Sequence, residues 1–112
     1  MAAYNNFTAD AEHGEVPTAE IHIHYLSELA RLTADLGGAC LRIFTGYERA
    51  GAGYAAQWAL VVEALQECSR RAAEFGVTIA VQNHHDIGAP VESHGQLMQA
   101  IGEPNCRAAF DA

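Results

Sequence analysis

Short apolar runs alternate with amphipathic helical patterns along this chain, and this alternation limits the fold more than any other feature. The runs begin near residues 2, 40, 77 and 106, so successive runs start roughly 30 to 40 residues apart. A strand, a helix and a second strand joined by short connections form the βαβ unit of parallel sheets. The sequence therefore predicts an α/β fold with the order βαβαβαβ.

The predicted elements have definite bounds. Strands are expected at residues 2–7, 40–45, 77–81 and 106–111, and helices at 18–36, 55–75 and 91–101. The second helix has the clearest pattern, because its apolar side chains recur at three- and four-residue intervals while its charged side chains occupy the other side. Glycine follows each of the three helices, as is common at helix ends.

Side chains on the predicted strands divide into two kinds. Successive side chains on a strand point to opposite faces of the sheet. One face, with residues such as Leu41, Ile43 and Ile79, is apolar enough to be covered by helices. The other face is small or polar and carries Arg42 and Gln82. The interior of a barrel, with a site near its rim, explains this division better than a flat sheet with helices on both sides.

The third strand ends in the polar segment VQNHHDIG, residues 81–88. Ligands of parallel α/β proteins bind at the carboxyl ends of the strands. A strand that delivers an amide pair, two histidines and an aspartate to this edge therefore predicts a functional site there.

Composition excludes several classes of function. The net charge is −8, and the basic residues are six arginines with no lysine. Nucleic acids and anionic membranes need clustered cations, so neither is an expected partner. A small anionic substrate held by one arginine remains compatible with this charge.

The chain is expected to be soluble and cytoplasmic. It has no apolar run near the roughly 20 residues of a membrane span, and its start lacks the pattern of a signal peptide. The three cysteines, Cys40, Cys68 and Cys106, are odd in number and widely spaced. This pattern favours reduced thiols in the core over a disulfide framework.

The segments AEFGVTIAVQNHHD and EPNCRAAFDA together resemble the sugar phosphate isomerase/epimerase group of the xylose-isomerase-like TIM barrels. AAYNNF and LGGACLRIFTGY are similar to the third and fourth strands of that family. The resemblance implies that residues 1–112 are a partial barrel domain, namely strands three to six of a (β/α)8 barrel. Two βα units would then precede the chain and two would follow it.

The resemblance also implies a metal site. Family members bind a divalent ion (Mn²⁺, Mg²⁺, Co²⁺ or Zn²⁺) through a glutamate after the fifth strand and an aspartate after the sixth, and here Gln82 and Asp111 occupy those positions. The family's later histidine and glutamate ligands have no counterpart in this chain. Gln82 is a departure, since a neutral amide is a weaker ligand than a carboxylate and cannot act as a general base.

Four further residues are candidates for the site. His84 aligns with the family's Glu-Asn-His pattern and is the expected catalytic residue, with His85 as a substrate contact or the alternative base. Arg42 could hold a phosphate or carboxylate, although a structural ion pair is an equal alternative. Asn6, at the end of the first strand, is an expected substrate contact. Asp86 is interpreted as a residue that stabilises the loop.

The expected activity is that of a metal-dependent isomerase or epimerase acting on a small sugar or sugar phosphate by proton transfer next to a carbonyl. Two alternatives remain open. One is an inosose-type dehydratase on the same barrel, and the other is a non-catalytic carbohydrate-binding barrel, which the replacement of glutamate by Gln82 favours. If the 112 residues are the whole protein, a homo-oligomer that covers the open sheet edges is expected.

Overall fold

The computed structural model describes residues 1–9, 15–84 and 86–110. Helices and strands alternate along the chain: α1 Thr18–Asp35, β1 Cys40–Ile43, α2 Tyr54–Ala73, β2 Thr78–Gln82, α3 Val91–Ile101 and β3 Cys106–Ala109. The predicted α/β class is confirmed, and each predicted helix is present with ends that differ by no more than two residues.

The three strands form one parallel sheet in the order β1-β2-β3. The register places Arg42 beside Ala80 and Ala80 beside Arg107. One row further along, Gln82 lies beside Ala109. Side chains in one row share a face of the sheet, so Arg42, Gln82 and Arg107 lie on the same side, as the alternation in the sequence predicts.

The first predicted strand is the one that differs most from expectation. Residues 2–7 run alongside β1, but only an isolated parallel bridge forms, between Ala2 and Arg42. Backbone bonds join Ala3 N to Arg42 O at 2.9 Å and Phe7 N to Thr45 O at 3.0 Å. Between these points the side chain of Asn5 takes the place of the backbone, so a regular ladder is interrupted.

The helices pack on one face of the sheet. Apolar residues at three- and four-residue spacing bury a stripe of α1 and a stripe of α2, as the sequence pattern predicts. The buried residues include Ile23, Leu26 and Ala30 on α1 and Val61, Leu65, Cys68 and Ala72 on α2. Gly102, with φ of 66°, ends α3 in the left-handed conformation that glycine adopts without strain.

We call the helix-covered face of the sheet the outer face and the face that carries Arg42 and Gln82 the inner face. The core lies between the outer face and the helices. Leu41, Ile43, Ile79 and Val81 are completely buried there under the helices. Cys68 and Cys106 are buried as free thiols, but Cys40 is exposed, so the prediction of a core thiol is wrong for Cys40. Cys40 opens β1 on the inner face, opposite to Leu41, where helices do not cover it. Among the described residues, no helix is long and apolar enough to cross a membrane.

Candidate functional site at the carboxyl ends of the strands

The predicted site residues that can be located lie on the inner face or at its carboxyl rim. Arg42 is in β1, Gln82 ends β2, and His84 follows two residues later. Asn6 lies in the segment beside β1. The predicted substrate contact His85 and the predicted metal ligand Asp111 lie outside the described residues.

Phe44, which the sequence did not single out, brings two of these residues together. The guanidinium carbon of Arg42 lies 4.4 Å from the centroid of the Phe44 ring. The imidazole of His84 lies 5.2 Å from the same ring, and the ring of Tyr4 lies 5.9 Å away, edge to face. Phe44 is therefore an aromatic platform with an arginine and a histidine in contact with it. The signal that the sequence offered was the position of Phe44 in the predicted strand 40–45, two residues after Arg42 and therefore on the same face.

The side chain of Asn5 fixes the backbone of Phe44. Its amide nitrogen donates to the carbonyl of Phe44 at 2.6 Å, and its amide oxygen accepts from the Phe44 N–H at 2.8 Å. Asn5 is buried, so these two bonds satisfy the polar groups that burial removes from water. Asn5 has a structural role that positions the platform.

Asn6 holds the loop after β1 through its side-chain oxygen. Its side-chain oxygen accepts hydrogen bonds from the Thr8 hydroxyl at 2.8 Å and from the N–H groups of Thr8 and Tyr47, each at 3.3 Å. Gly46 lies against the same group at φ of 142°, where an added Cβ would come within 2.6 Å of the Asn6 oxygen. A close backbone approach therefore requires glycine at this position.

His84 is half-exposed at the rim and has an acidic neighbour. Its Nδ1 lies 3.4 Å from the carboxylate of Asp86, whose side chain is only 5% exposed. This distance is long for a hydrogen bond, and the same carboxylate oxygen accepts none within the described residues. The Nδ1 edge of the imidazole thus faces Asp86. Asp86 lies against His84, and its role in stabilising the loop stays a prediction.

Two tyrosines, Tyr4 and Tyr47, lie near Phe44 and Asp86. A hydrogen bond with Tyr4 raises the pKa of Tyr47 above its ordinary value, with smaller contributions from the charge of Tyr4, from desolvation and from Asp86. Tyr47 therefore stays a neutral phenol across the physiological range. Its hydroxyl can donate and accept hydrogen bonds there.

Gln57 on α2 supports the glycine-rich loop after β1. It is completely buried, and its amide bonds the N–H of Arg49 at 2.7 Å and the carbonyls of Arg49 and Ala52, each at 2.9 Å. Sequence reasoning missed this residue because a glutamine in a helical stripe carries no distinctive pattern.

His94 on α3 is half-buried. Its Nδ1 lies 2.9 Å from the carbonyl of Gly88. It lines an apolar recess of about 260 Å³ between α3 and β3, together with Met98 and Phe110. This recess lies beside the sheet, away from Phe44, and offers few polar groups to a ligand.

The described residues do not build a metal centre by themselves. Within them no three or more side chains of histidine, cysteine, aspartate or glutamate come together as ligands would. Gln82 is half-buried at the end of β2 and could offer one neutral oxygen. A centre that uses Gln82 therefore needs ligands from beyond the described part of the chain.

Comparisons with known proteins agree with the architecture. A family model described as xylose isomerase-like TIM barrel matches residues 2–112. A search of curated proteins finds no match.

Two solved structures share the fold. An L-ribulose 3-epimerase superposes with a TM-score of 0.80 at 19% identity, over 98% of this chain and 40% of the other. A xylose isomerase domain protein from Planctomyces limnophilus superposes with a TM-score of 0.70 at 14% identity, over 99% of this chain and 42% of the other. The chain thus spans about two fifths of the length of either protein. Because the family model covers nearly all of its residues, the chain belongs to the xylose isomerase-like TIM barrel family.

Proposed function

We propose that this chain is part of an isomerase or epimerase that acts on a small sugar or sugar phosphate by proton transfer at a carbon next to a carbonyl. The observation that carries the proposal is the convergence of Arg42 and His84 on Phe44 at the carboxyl ends of parallel strands. Family membership and the likeness to an L-ribulose 3-epimerase support it. Residues 1–112 would form one partial barrel domain.

His84 is the proposed proton-transfer residue. Histidine is the side chain whose protonation changes most readily near neutral pH, and a neighbouring carboxylate keeps the ring oriented. Asp86 supplies that carboxylate at 3.4 Å. Phe44 would pack against the apolar C–H face of a sugar ring, and Arg42, Asn6 and His85 would contact its oxygens.

Metal dependence is part of the same proposal. Gln82 and Asp111 are the ligands that this chain would offer to Mn²⁺, Mg²⁺, Co²⁺ or Zn²⁺, and other ligands would come from beyond the described residues. A bound divalent ion would supply stabilisation of the negative charge that develops on the carbonyl oxygen. Because Gln82 is neutral, the proton must be handled by His84 or by another group.

Deuterium incorporation tests the proposal directly. The intact protein would be incubated in D₂O with a panel of ketoses, aldoses and their phosphate esters, after treatment with chelator and with each metal added back. Proton NMR would then follow the hydrogen next to the carbonyl. We expect metal-dependent exchange and conversion to an isomer or epimer, and no exchange on any sugar at any metal would refute the isomerase proposal.

A non-catalytic carbohydrate-binding role is the second candidate. Gln82 favours it, since an amide replaces the acid that the family's chemistry uses, while the Phe44 platform would still bind a sugar. Sugar binding that is unchanged by chelator and never accompanied by exchange would support this candidate. An inosose-type dehydratase would instead release water by removing a hydroxyl group and the hydrogen of a neighbouring carbon, and the same spectra would show the loss of one H–C–OH signal.

Three predictions on location and partners accompany the proposal. We expect a cytoplasmic protein that does not bind nucleic acid, because the net charge is −8. We also expect self-association if no further chain covers the open edge of the sheet at β3, after which Phe110 is 77% exposed. Light scattering at several concentrations would measure it.

A further inference from the structure

We infer that Arg42 and Phe44 form a subsite for an oxyanion, a phosphate or carboxylate group, carried by the substrate. The inference rests on the proposed function and deepens it, since it selects sugar phosphates or sugar acids over neutral sugars. It depends on the position of Arg42, on its neighbours, and on the absence of an ion pair with any carboxylate among the described residues.

Arg42 differs from the arginines of the helices in its charge environment. Arg31, Arg70 and Arg71 each form an ion pair with a glutamate on the helical side of the molecule. No carboxylate among the described residues pairs with Arg42. Within the described part of the chain Arg42 is thus a half-buried guanidinium that no carboxylate neutralises. Its charge is left available to a ligand.

Arg42 is also held in place, both by its backbone and by its side chain. Its backbone N–H donates to Met1 O and its carbonyl accepts from Ala3 N, each at 2.9 Å. The guanidinium stacks on Phe44 at 4.4 Å, and Phe44 is itself fixed by the two bonds to Asn5. A guanidinium that stacks on a ring keeps its N–H edge for bidentate bonds to an oxyanion. Less rotamer freedom is then lost when the anion binds.

Arg107 is a natural contrast on the same face. It occupies the same row of the sheet as Arg42, with Ala80 between them. Its Nε, however, donates to the carbonyl of Pro104 at 3.2 Å, so its side chain is directed back toward the start of β3. Arg42 instead leans toward Phe44 and the carboxyl rim, where a sugar would bind. The subsite is thus assigned to Arg42 and excludes Arg107.

Titration of the intact protein with inorganic phosphate and with acetate tests the inference, with backbone amide NMR of Phe44 and its neighbours as the readout. The variants are Arg42→Met, Arg42→Lys and the control Arg107→Met, each checked for an unchanged unfolding midpoint. We expect Arg42→Met to weaken anion binding by about 10- to 100-fold, because a hydrogen-bonded charge is lost. Arg42→Lys should recover part of the binding, and Arg107→Met should behave as wild type. The anion that binds more tightly identifies a phosphate ester or a carboxylate as the natural group.

Matched substrates complete the test. A ketose, its phosphate ester and the corresponding sugar acid would be compared in wild type and in Arg42→Met. A preference for the charged substrate that disappears in Arg42→Met supports the subsite. Equal anion binding in wild type and Arg42→Met would overturn the subsite. Equal turnover of the neutral and charged sugars by wild type would also overturn the subsite, but it would leave the isomerase proposal intact. Arg42-dependent anion binding without turnover of any sugar supports the subsite and refutes the isomerase proposal.

Discussion

The two faces of the same short sheet have opposite character. On the outer face Leu41, Ile43, Ile79 and Val81 are completely buried by helices. On the inner face Arg42 and Phe44 are only half-buried, and Arg107 is exposed. Tyr4, which packs against Phe44, is 61% exposed. Alternation along each strand thus separates the residues that stabilise the fold from those that can meet a ligand, and substitutions one residue apart should have different consequences.

The largest effect is expected on the outer face. Ile79→Ala should lower the free energy of unfolding by about 2–5 kcal/mol, because it removes buried methyl groups and leaves a cavity. Its neighbour Thr78, on the inner face, is the matched control, and Thr78→Ala should change stability by about 0.5 kcal/mol or less. Urea unfolding of both variants measures the difference. Equal losses would mean that the two faces do not differ in the way described.

The next effect concerns the loop that joins β1 to the rim. Gly46→Ala should destabilise the protein by about 1–3 kcal/mol, since alanine at this backbone conformation is strained. The added Cβ would also lie 2.8 Å from the Thr8 hydroxyl and 2.9 Å from the Thr8 nitrogen. Gly53→Ala is the control, because its added Cβ meets nothing within 4 Å. Thermal unfolding would contradict the account if Gly53→Ala were the more damaging change.

A smaller effect on folding stability is expected only at alkaline pH. Burial raises the pKa of the Cys68 thiol to about 12, with the nearby Cys106 as a lesser cause. Above the ordinary value of 9.0 the unfolded chain loses this proton while the folded chain keeps it. Folding stability should therefore fall by about 1.4 kcal/mol per pH unit between the two values.

The variant Cys68→Ala isolates this thiol, with Cys40→Ala as the exposed control. The alkaline slope of the unfolding free energy should shrink in Cys68→Ala and persist in Cys40→Ala. In wild type a thiol reagent should label Cys40 well before Cys68. Rapid labelling of Cys68 in the folded protein at pH 8 would show that it is not buried as described.

Local patterns predict the helices and the two faces of the sheet. Buried residues recur about every 3.6 residues in a helix and every second residue in a strand, so their spacing can be seen in the sequence. Ile79 and Leu65 are inside for the reason that the sequence indicates. The same patterns fail at residues 2–7, where the Asn5 side chain replaces a backbone ladder, and at Cys40. They also miss Phe44, Asn5 and Gln57 as determinants of the site. Asn5 bonds a residue 39 positions away in the chain, Gln57 bonds residues 5 and 8 positions away in an irregular loop, and Phe44 contacts His84 from another strand. No local pattern encodes these contacts.

The most direct test of the division between the faces compares His84 with His94. His84→Gln and His94→Gln would be assayed for deuterium incorporation into a sugar substrate in D₂O, with unfolding midpoints measured in parallel. Loss of a proton-transfer residue typically lowers the rate by about 10²–10⁴-fold. We expect such a loss in His84→Gln with a stability near that of wild type, and exchange near the wild-type rate in His94→Gln. Full exchange in a well-folded His84→Gln variant would contradict the assignment of the chemistry to the inner-face rim.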